Sequence, residues 1–172
     1  KNFMRFKKII CWPPLLGGIG AGVTITILSY ITFQSILAGT NYGLWLAASF
    51  GSSVVVVFGY PDNEFAQPKN VLFGHLLCTL VGIIFVMLFK ISQDRSIFFL
   101  AIGIAVGIAV MLMMALKITH PPAGGNTIIV MLAQDSFQFL IFPVMVGAIT
   151  IIVGAVIYNR LILKKNYPLK WL

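Results

Sequence analysis

The stretch Met114-Ala-Leu-Lys-Ile-Thr-His-Pro-Pro-Ala-Gly-Gly-Asn-Thr-Ile-Ile-Val-Met-Leu-Ala-Gln-Asp135 separates two apolar segments with a polar, helix-breaking block. Pro121 and Pro122 end the preceding helix, and proline also suits the first turn of a new one. The new helix would begin with free N–H groups and a positive dipole end. In an apolar chain, such a start predicts an anion site. The alternative is a plain loop between two membrane helices.

Composition indicates a membrane protein. Of the 172 residues, 59% are hydrophobic and 9% charged, whereas a soluble domain has about 25% charged residues. The length predicts a single transmembrane domain over 1–172, with short basic tails at 1–12 and 164–172. The net charge is +8. The end regions hold most of the basic residues: Lys1, Arg5, Lys7, Lys8, Arg160, Lys164, Lys165 and Lys170.

This charge distribution predicts the orientation and the location. Basic residues remain on the cytoplasmic side of membrane spans, so both termini are expected there and the number of crossings is even. The basic ends would also contact anionic lipid headgroups. We expect an integral protein of the bacterial inner (plasma) membrane.

Hydropathy predicts an all-α, polytopic helical bundle. Four segments are long enough to cross a hydrocarbon core of about 30 Å. Two others are short, and each is expected either to re-enter or to make a short crossing. A polar loop is expected at 60–70. The expected full spans are 13–37, 71–89, 97–116 and 139–163, and the short segments are 43–59 and 126–133.

A weak internal repeat links the two short segments. A shift of 73 residues places 51–57 on 124–130 and Gly74 on Gly147. The repeated unit, about 13–90 and 97–163, would be a span, a short helix and a span. If both short helices cross, six passes form inverted repeats; if both re-enter, four passes form parallel ones. The loop charges do not decide between these topologies.

The two histidines are the leading site candidates. His120, at the mouth of the short helix, could donate to an anion and titrate near neutral pH; alternatively, it only caps a helix end. His75 is either a second residue of the pathway or a packing residue. The other polar candidates could line a pocket or only cap helices. The predicted substrate-binding residues are His120, Gly124, Gly125, Asn126, Thr127, Gly51, Ser52, Ser53, Asn70 and His75.

Other chemistry receives less support. Lys69 and Lys117 would attract an anion to the entrance, or only snorkel to the headgroups. With two histidines and no suitably spaced carboxylates or cysteines, no metal and no cofactor are expected. Cys11 and Cys78 are expected to be free thiols. Asp62 and Glu64 are expected to be solvated loop charges.

The chain resembles the HPP family of integral membrane proteins. The resemblance rests on His120-Pro121-Pro122, extended from Thr119 to Gly125, on 67–71 with 74–77 and 81–82, and on Tyr158-Asn159 with Tyr167-Pro168. It covers roughly 15–172. It implies four membrane spans, which favours the re-entrant alternative, and a link to nitrite transport. The polar Gly124-Gly125-Asn126 start departs from the family's usual sequence.

Three functions remain open at this point. The leading hypothesis is a passive or coupled transporter or channel for a small inorganic anion, with nitrite implied by the resemblance, working as a homo-oligomer. A non-transporting scaffold or sensor subunit is the second. A membrane enzyme using His120 with Asp62 or Glu64 is the third, but no nucleophile–base pairing is recognisable, so enzymatic activity is not expected.

Overall fold

The computed structural model describes residues 12–37, 47–92, 97–134 and 136–171, which are mostly helical and include no strand. Expectations for Cys11, the N-terminal tail and the turn at 38–42 concern residues outside these ranges. The helices are α1 (Trp12–Leu37), α2 (Ala47–Gly59), α3 (Pro68–Ser92), α4 (Phe98–Ala115), α5 (Gly124–Ala133) and α6 (Phe137–Ile162), with single turns at Glu64–Ala66 and Pro121–Ala123.

The four expected full spans are confirmed as α1, α3, α4 and α6, each long and apolar enough to cross a membrane. In α3 and α6, 50% and 39% of the most apolar stretch is buried, against 17% and 22% in α1 and α4. The centre of the bundle is therefore formed by α3 and α6. The polar loop is shorter than expected, because Pro68 begins α3 and places Lys69 and Asn70 in its first turn.

Contacts between helix ends show which ends share one side of the bundle. The Tyr158 hydroxyl donates to the carbonyl of Leu16 at 2.6 Å, so α6 ends where α1 begins. The Tyr167 hydroxyl donates to the carbonyl of Ala66 at 2.8 Å. Residues 60–67, 116–120 and 163–171 thus lie on one side, which we call the near side.

Both short helices make short crossings. Along α3, Gly74 faces Ala123 and Gly82 faces Val130, so α5 runs in the direction of α3, away from the near side. Along α6, Gly147 faces Phe50 and Tyr158 packs on Phe58, so α2 runs towards the near side. The chain therefore passes the bundle six times. The re-entrant alternative, which the family resemblance favoured, does not fit these contacts.

The two halves form an inverted repeat. Helices α1–α2–α3 and α4–α5–α6 follow the same long–short–long order in opposite directions. The contact of Gly74 with Ala123 corresponds, after the shift of 73 residues, to the contact of Gly147 with Phe50. The hydroxyl of Ser49 bonds the carbonyl of Pro122, exactly one shift away. Equivalent positions touch only near a two-fold axis, so this pair marks the axis of the pseudo-symmetry.

Close packing of α5 on α3 depends on Gly82. A Cβ there would lie 2.2 Å from a methyl group of Val130 and 2.9 Å from the carbonyl oxygen of Thr127. We expect Gly82→Ala to lower the thermal unfolding temperature in detergent, since overpacking costs about 1–3 kcal/mol. Gly103→Ala is the matched control, because nothing lies within 4 Å of its Cβ. Equal unfolding temperatures for the two variants would contradict the packing.

The six-pass topology places Asp62 on the near side and Ser136 on the opposite side. In a variant without native cysteines, Asp62→Cys and Ser136→Cys should react with a membrane-impermeant maleimide from opposite faces of oriented vesicles. A four-pass, re-entrant chain would expose both positions on one face. Labelling of both from the same face would therefore overturn the inverted repeat.

Candidate functional site

The N-termini of α2 and α5 meet inside the bundle. The hydroxyl of Ser49, in the first turn of α2, donates to the carbonyl of Pro122 at 3.0 Å. A Cβ on Gly125 would lie 4.0 Å from the Cβ of Ser49. The meeting point is level with His75 and Thr79 of α3, about 10–17 Å along that helix at 1.5 Å per residue. Two positive helix ends therefore face each other near mid-depth.

A chain of fully buried polar side chains lies beside this meeting point. The hydroxyl oxygen of Ser53 lies 2.9 Å from Nε2 of His75 and 3.0 Å from Nε2 of His120. Nδ2 of Asn126 lies 3.0 Å from Nδ1 of His75 and 3.1 Å from the hydroxyl oxygen of Thr79. All five side chains are inaccessible to solvent. The structure therefore joins four of the predicted site residues, and adds Thr79.

Hydrogen-bond complementarity fixes the proton positions at one end. The Thr79 hydroxyl donates to the carbonyl of His75 at 2.8 Å, so its oxygen can only accept from the amide of Asn126. The other N–H of that amide then points at Nδ1 of His75, which must be unprotonated. His75 is therefore neutral with its hydrogen on Nε2, which donates to Ser53.

At the other end of the hydrogen-bonded chain, the backbone carbonyl of Phe65 determines which nitrogen of His120 carries a hydrogen. Nδ1 of His120 lies 2.8 Å from the oxygen of Phe65, which can only accept, so Nδ1 carries the hydrogen. The single hydroxyl hydrogen of Ser53 has two acceptors in reach, the carbonyl of Ser49 at 2.9 Å and Nε2 of His120 at 3.0 Å, and it serves one of them at a time. His120 precedes the short helix, outside the four full spans. Burial lowers the pKa of its ring to about 4, opposed by the bond to Phe65, so the ring is neutral.

One acceptor at the deep end of the chain has no partner. The Oδ1 atom of Asn126 is buried and makes no hydrogen bond within the described residues, and the same is true of Oδ1 of Asn159 near the end of α6. A buried acceptor without a partner costs about 1–3 kcal/mol. A donor bound next to Asn126 would recover that free energy.

The start of α5 differs from the expected row of free N–H groups. Pro121 and Pro122 have no N–H, Ala123 donates to the carbonyl of His120, and Gly124 donates to those of the two prolines. The expectation of free backbone donors here is wrong, because a tight turn uses them before the helix begins. The dipole of α5 remains.

The other predicted residues have separate places. Thr127 donates to the carbonyl of Cys78, and Asn70 to that of Thr119, so both join elements of the bundle. Gly51 is half-buried, whereas Ser52 is exposed and donates to the carbonyl of Ser49. On the near side, Lys69 is half-buried and Lys117 exposed. Cys78 is a free thiol, as expected.

Sequence reasoning missed three contributors to the site. Ser49 and Thr79 carry no motif, although Thr79 follows His75 by one helical turn. Gly74 is the third: a Cβ there would lie 2.9 Å from the Cβ of His120, so only glycine lets that residue approach α3 so closely. Its repeat partner Gly147 was the available signal.

A cleft opens beside the meeting helix ends. Its volume is about 750 Å³, and its rim includes Ser49, Ser52 and Gly125. The remaining walls are apolar, formed by residues such as Val55 and Ile128. Within the described part of the chain, no three histidine, cysteine, aspartate or glutamate side chains gather as a metal site would require.

The fold and the site together define a helical membrane protein of two inverted repeats with a buried histidine pair. The chain belongs to the HPP transmembrane family, whose profile matches residues 8–168. It is similar to two transmembrane proteins of Dictyostelium discoideum, at 34% identity over 130 residues and 32% over 133. It covers only 45% and 42% of their lengths, while 73% and 74% of this chain is aligned. No solved structure matches.

The hydrogen-bond chain predicts opposite tautomers for the two histidines. In protein labelled with ¹⁵N-histidine at pH 7, we expect His120 to show a protonated Nδ1 and His75 a protonated Nε2. With two histidines in the sequence, His120→Gln assigns the signals by removing one set. Identical tautomers, or an imidazolium at either position, would contradict the proposed directions.

Proposed function

We propose that the protein is a membrane transporter or channel for a small inorganic anion, with nitrite as the first candidate. The observation that carries the proposal is the meeting of the α2 and α5 N-termini beside a cleft at mid-depth. In several transporter folds built from inverted repeats, the substrate binds near the membrane midplane against the N-termini of broken or short helices.

The chemistry of the cleft favours a weakly held anion. The dipoles of both helices place positive potential there, and first-turn N–H groups of a helix such as α2 lack partners within the helix. The Ser49 and Ser52 hydroxyls lie on the rim, where each donates to a backbone carbonyl. The helix ends carry no full charge, so they would bind an anion loosely enough for it to leave.

The near side would collect anions from solution. Lys69 and Lys117 both lie on this side, together with the basic C-terminal tail. We propose that it is the cytoplasmic face, in agreement with the rule for basic residues. The bacterial inner membrane stays our proposed location, although both relatives come from Dictyostelium.

The cleft lies on the outer surface of the bundle, where Val55 and Ile128 of its walls are exposed, so one copy encloses no pathway there. We propose that a homo-oligomer closes it. A catalytic role is not part of the proposal: the partners of His120 are the carbonyl of Phe65 and the hydroxyl of Ser53, and neither is a carboxylate. Asp62 and Glu64 are exposed.

Anion flux through purified protein in liposomes tests this function. We expect nitrite efflux above the rate of protein-free liposomes, with chloride and nitrate compared. Gly125→Leu should reduce efflux at least about tenfold, because losing about 1.4 kcal/mol of binding is a factor of ten, and a leucine would fill the cleft beside Ser49. Gly103→Leu, on the exposed face of α4, is the control.

Two results would reject the proposal. One is the absence of flux for all three anions, which the scaffold alternative predicts. The other is an equal effect of the two leucine variants on efflux, which would place the pathway elsewhere.

A further inference from the structure

We propose that transport by this protein is coupled to a proton, which the His75–Ser53–His120 chain carries between Asn126 and the near-side loop. The inference rests on the proposed transport function and names its coupling ion. Its basis is the geometry of one continuous hydrogen-bonded chain: Asn126 to His75, His75 to Ser53, Ser53 to His120, and His120 to the carbonyl of Phe65.

The amide of Asn126 can serve both protonation states of His75. In the neutral state, its NH2 group donates to Nδ1 of His75 and to the hydroxyl of Thr79, and Oδ1 is left without a partner. His75 is fully buried here, so the step requires a conformation of the carrier in which water reaches Nδ1; when a proton from that water binds Nδ1, the amide turns over. Oδ1 then accepts from Nδ1–H, and the Thr79 hydroxyl swings from the backbone carbonyl to Oδ1. Three hydrogen bonds are replaced by two, and both of these reach Oδ1, the atom that has no partner in the neutral state.

Transfer along the chain moves protons and no electrons. The Nε2–H bond of His75 breaks as an O–H bond forms on Ser53. The original hydroxyl hydrogen of Ser53 turns from the carbonyl of Ser49 to His120, and its O–H bond breaks as an N–H bond forms on Nε2 of His120. His75 is again neutral, and His120 has become an imidazolium. His120 is fully buried here, so release of its Nδ1 proton also requires a conformation that opens the ring to water near Phe65, and in that conformation both rings regain their first tautomers by exchange with water.

The pseudo-symmetry argues against a packing role for the histidines. The positions equivalent to His75 and His120 after the shift of 73 residues are Ala148 and Ala47. Ala148 is fully buried, so alanine suffices for packing in the other half. The glycine contacts are repeated in both halves, whereas the histidine pair occurs in one. A single polar chain is what a proton path requires.

No other charged group competes for the proton within the described residues. Helices α2, α4 and α5 contain no titratable side chain. On α3, Cys78 turns its sulfur towards Met113 of α4 at 3.5 Å, and Lys69 lies at the helix start. In the 60–67 loop, Asp62 and Glu64 are exposed; Tyr158 and Arg160 of α6, and Tyr167 after it, bond backbone carbonyls. The two histidine rings face each other, with 5.1 Å between their centroids.

The experiment separates anion exchange from proton-driven uptake. Liposomes holding the purified protein and a trapped pH-sensitive dye are assayed for exchange of ¹⁵N-nitrite against nitrite at equal pH. Net nitrite uptake driven by a pH gradient is then measured, with protein-free liposomes subtracted. For the native chain we expect exchange, net uptake, and a dye signal that reports proton movement with the anion.

Ser53→Ala breaks the chain at its centre. We expect gradient-driven uptake to fall about a hundredfold more than exchange does in the same variant, the lower end of the range for losing a positioned proton-transfer group. Thr150→Ala is the matched control, since its hydroxyl also bonds the carbonyl four residues earlier, on α6 outside the chain. If Ser53→Ala does not fold, Asn126→Ala takes its place. Its control is Asn159→Ala, because Oδ1 of Asn159 is also buried without a hydrogen-bond partner among the described residues.

The outcomes are distinct. An absence of nitrite, nitrate and chloride flux in the native chain rejects the transport function itself. Anion flux with no dye signal and no response to a pH gradient leaves transport standing and rejects proton coupling. Equal loss of exchange and uptake in Ser53→Ala, or no loss of either, also rejects the relay.

Discussion

The bundle depends on the need to bury the ends of two helices that are too short to cross the full thickness of a bilayer by themselves. The 13 residues of α2 and the 10 of α5 reach about 20 Å and 15 Å at helical rise, and backbone groups exposed inside a membrane must find partners within the protein. The protein meets this need by joining the two helix starts. The Ser49 hydroxyl satisfies the carbonyl of Pro122, and the Pro121–Ala123 turn uses the first donors of α5.

The same constraint explains the glycines on the long helices. A short helix can keep a fixed position within the membrane only if a full-length span packs directly against it. Gly82 of α3 lets the backbone of α5 approach, Gly74 of α3 makes room for His120 just before α5, and Gly147 of α6 makes room for the ring of Phe50 on α2. Small residues are the usual means of close packing in membranes, where burial of apolar surface gives no drive for helix association.

Much of this fold was readable from the sequence. Hydropathy predicts the four spans, the Pro-Pro pair locates the start of the second short helix, and the 73-residue shift pairs the correct elements. The sequence does not predict the direction of the short helices. Either topology places two basic loop residues on each side of the membrane: Lys69 with Lys117, and Lys90 with Arg95. Direction follows from contacts such as Gly82 with Val130, which join residues distant in sequence. The boundary at Pro68 was missed because a polar first turn resembles a loop.

The candidate site was predictable in its members and not in its connections. His75, His120, Ser53 and Asn126 all carry polar groups in apolar surroundings, which is the signal that selects them. Their assembly into one chain depends on the inverted arrangement, which brings α2, α3 and α5 together at one depth. The role expected for the α5 tip was wrong in one respect, because proline at the first two positions removes the donors that an anion would use.

The positive helix ends and the unpartnered Oδ1 atom of Asn126 favour different ligands. Two converging dipoles favour a negative charge, whereas Oδ1 of Asn126 needs a hydrogen-bond donor and would repel an anion placed against it. An anion alone would interact favourably with the helix dipoles but would give Oδ1 no donor. An anion moving with a proton satisfies both: the anion lies in the cleft by Ser49, and the proton lies on His75, facing the turned amide of Asn126. This pairing keeps the total charge near zero while both species are far from water, where an isolated charge is most costly. The proposed coupling therefore accounts for an unsatisfied oxygen and a cleft that no single charged ligand would explain together.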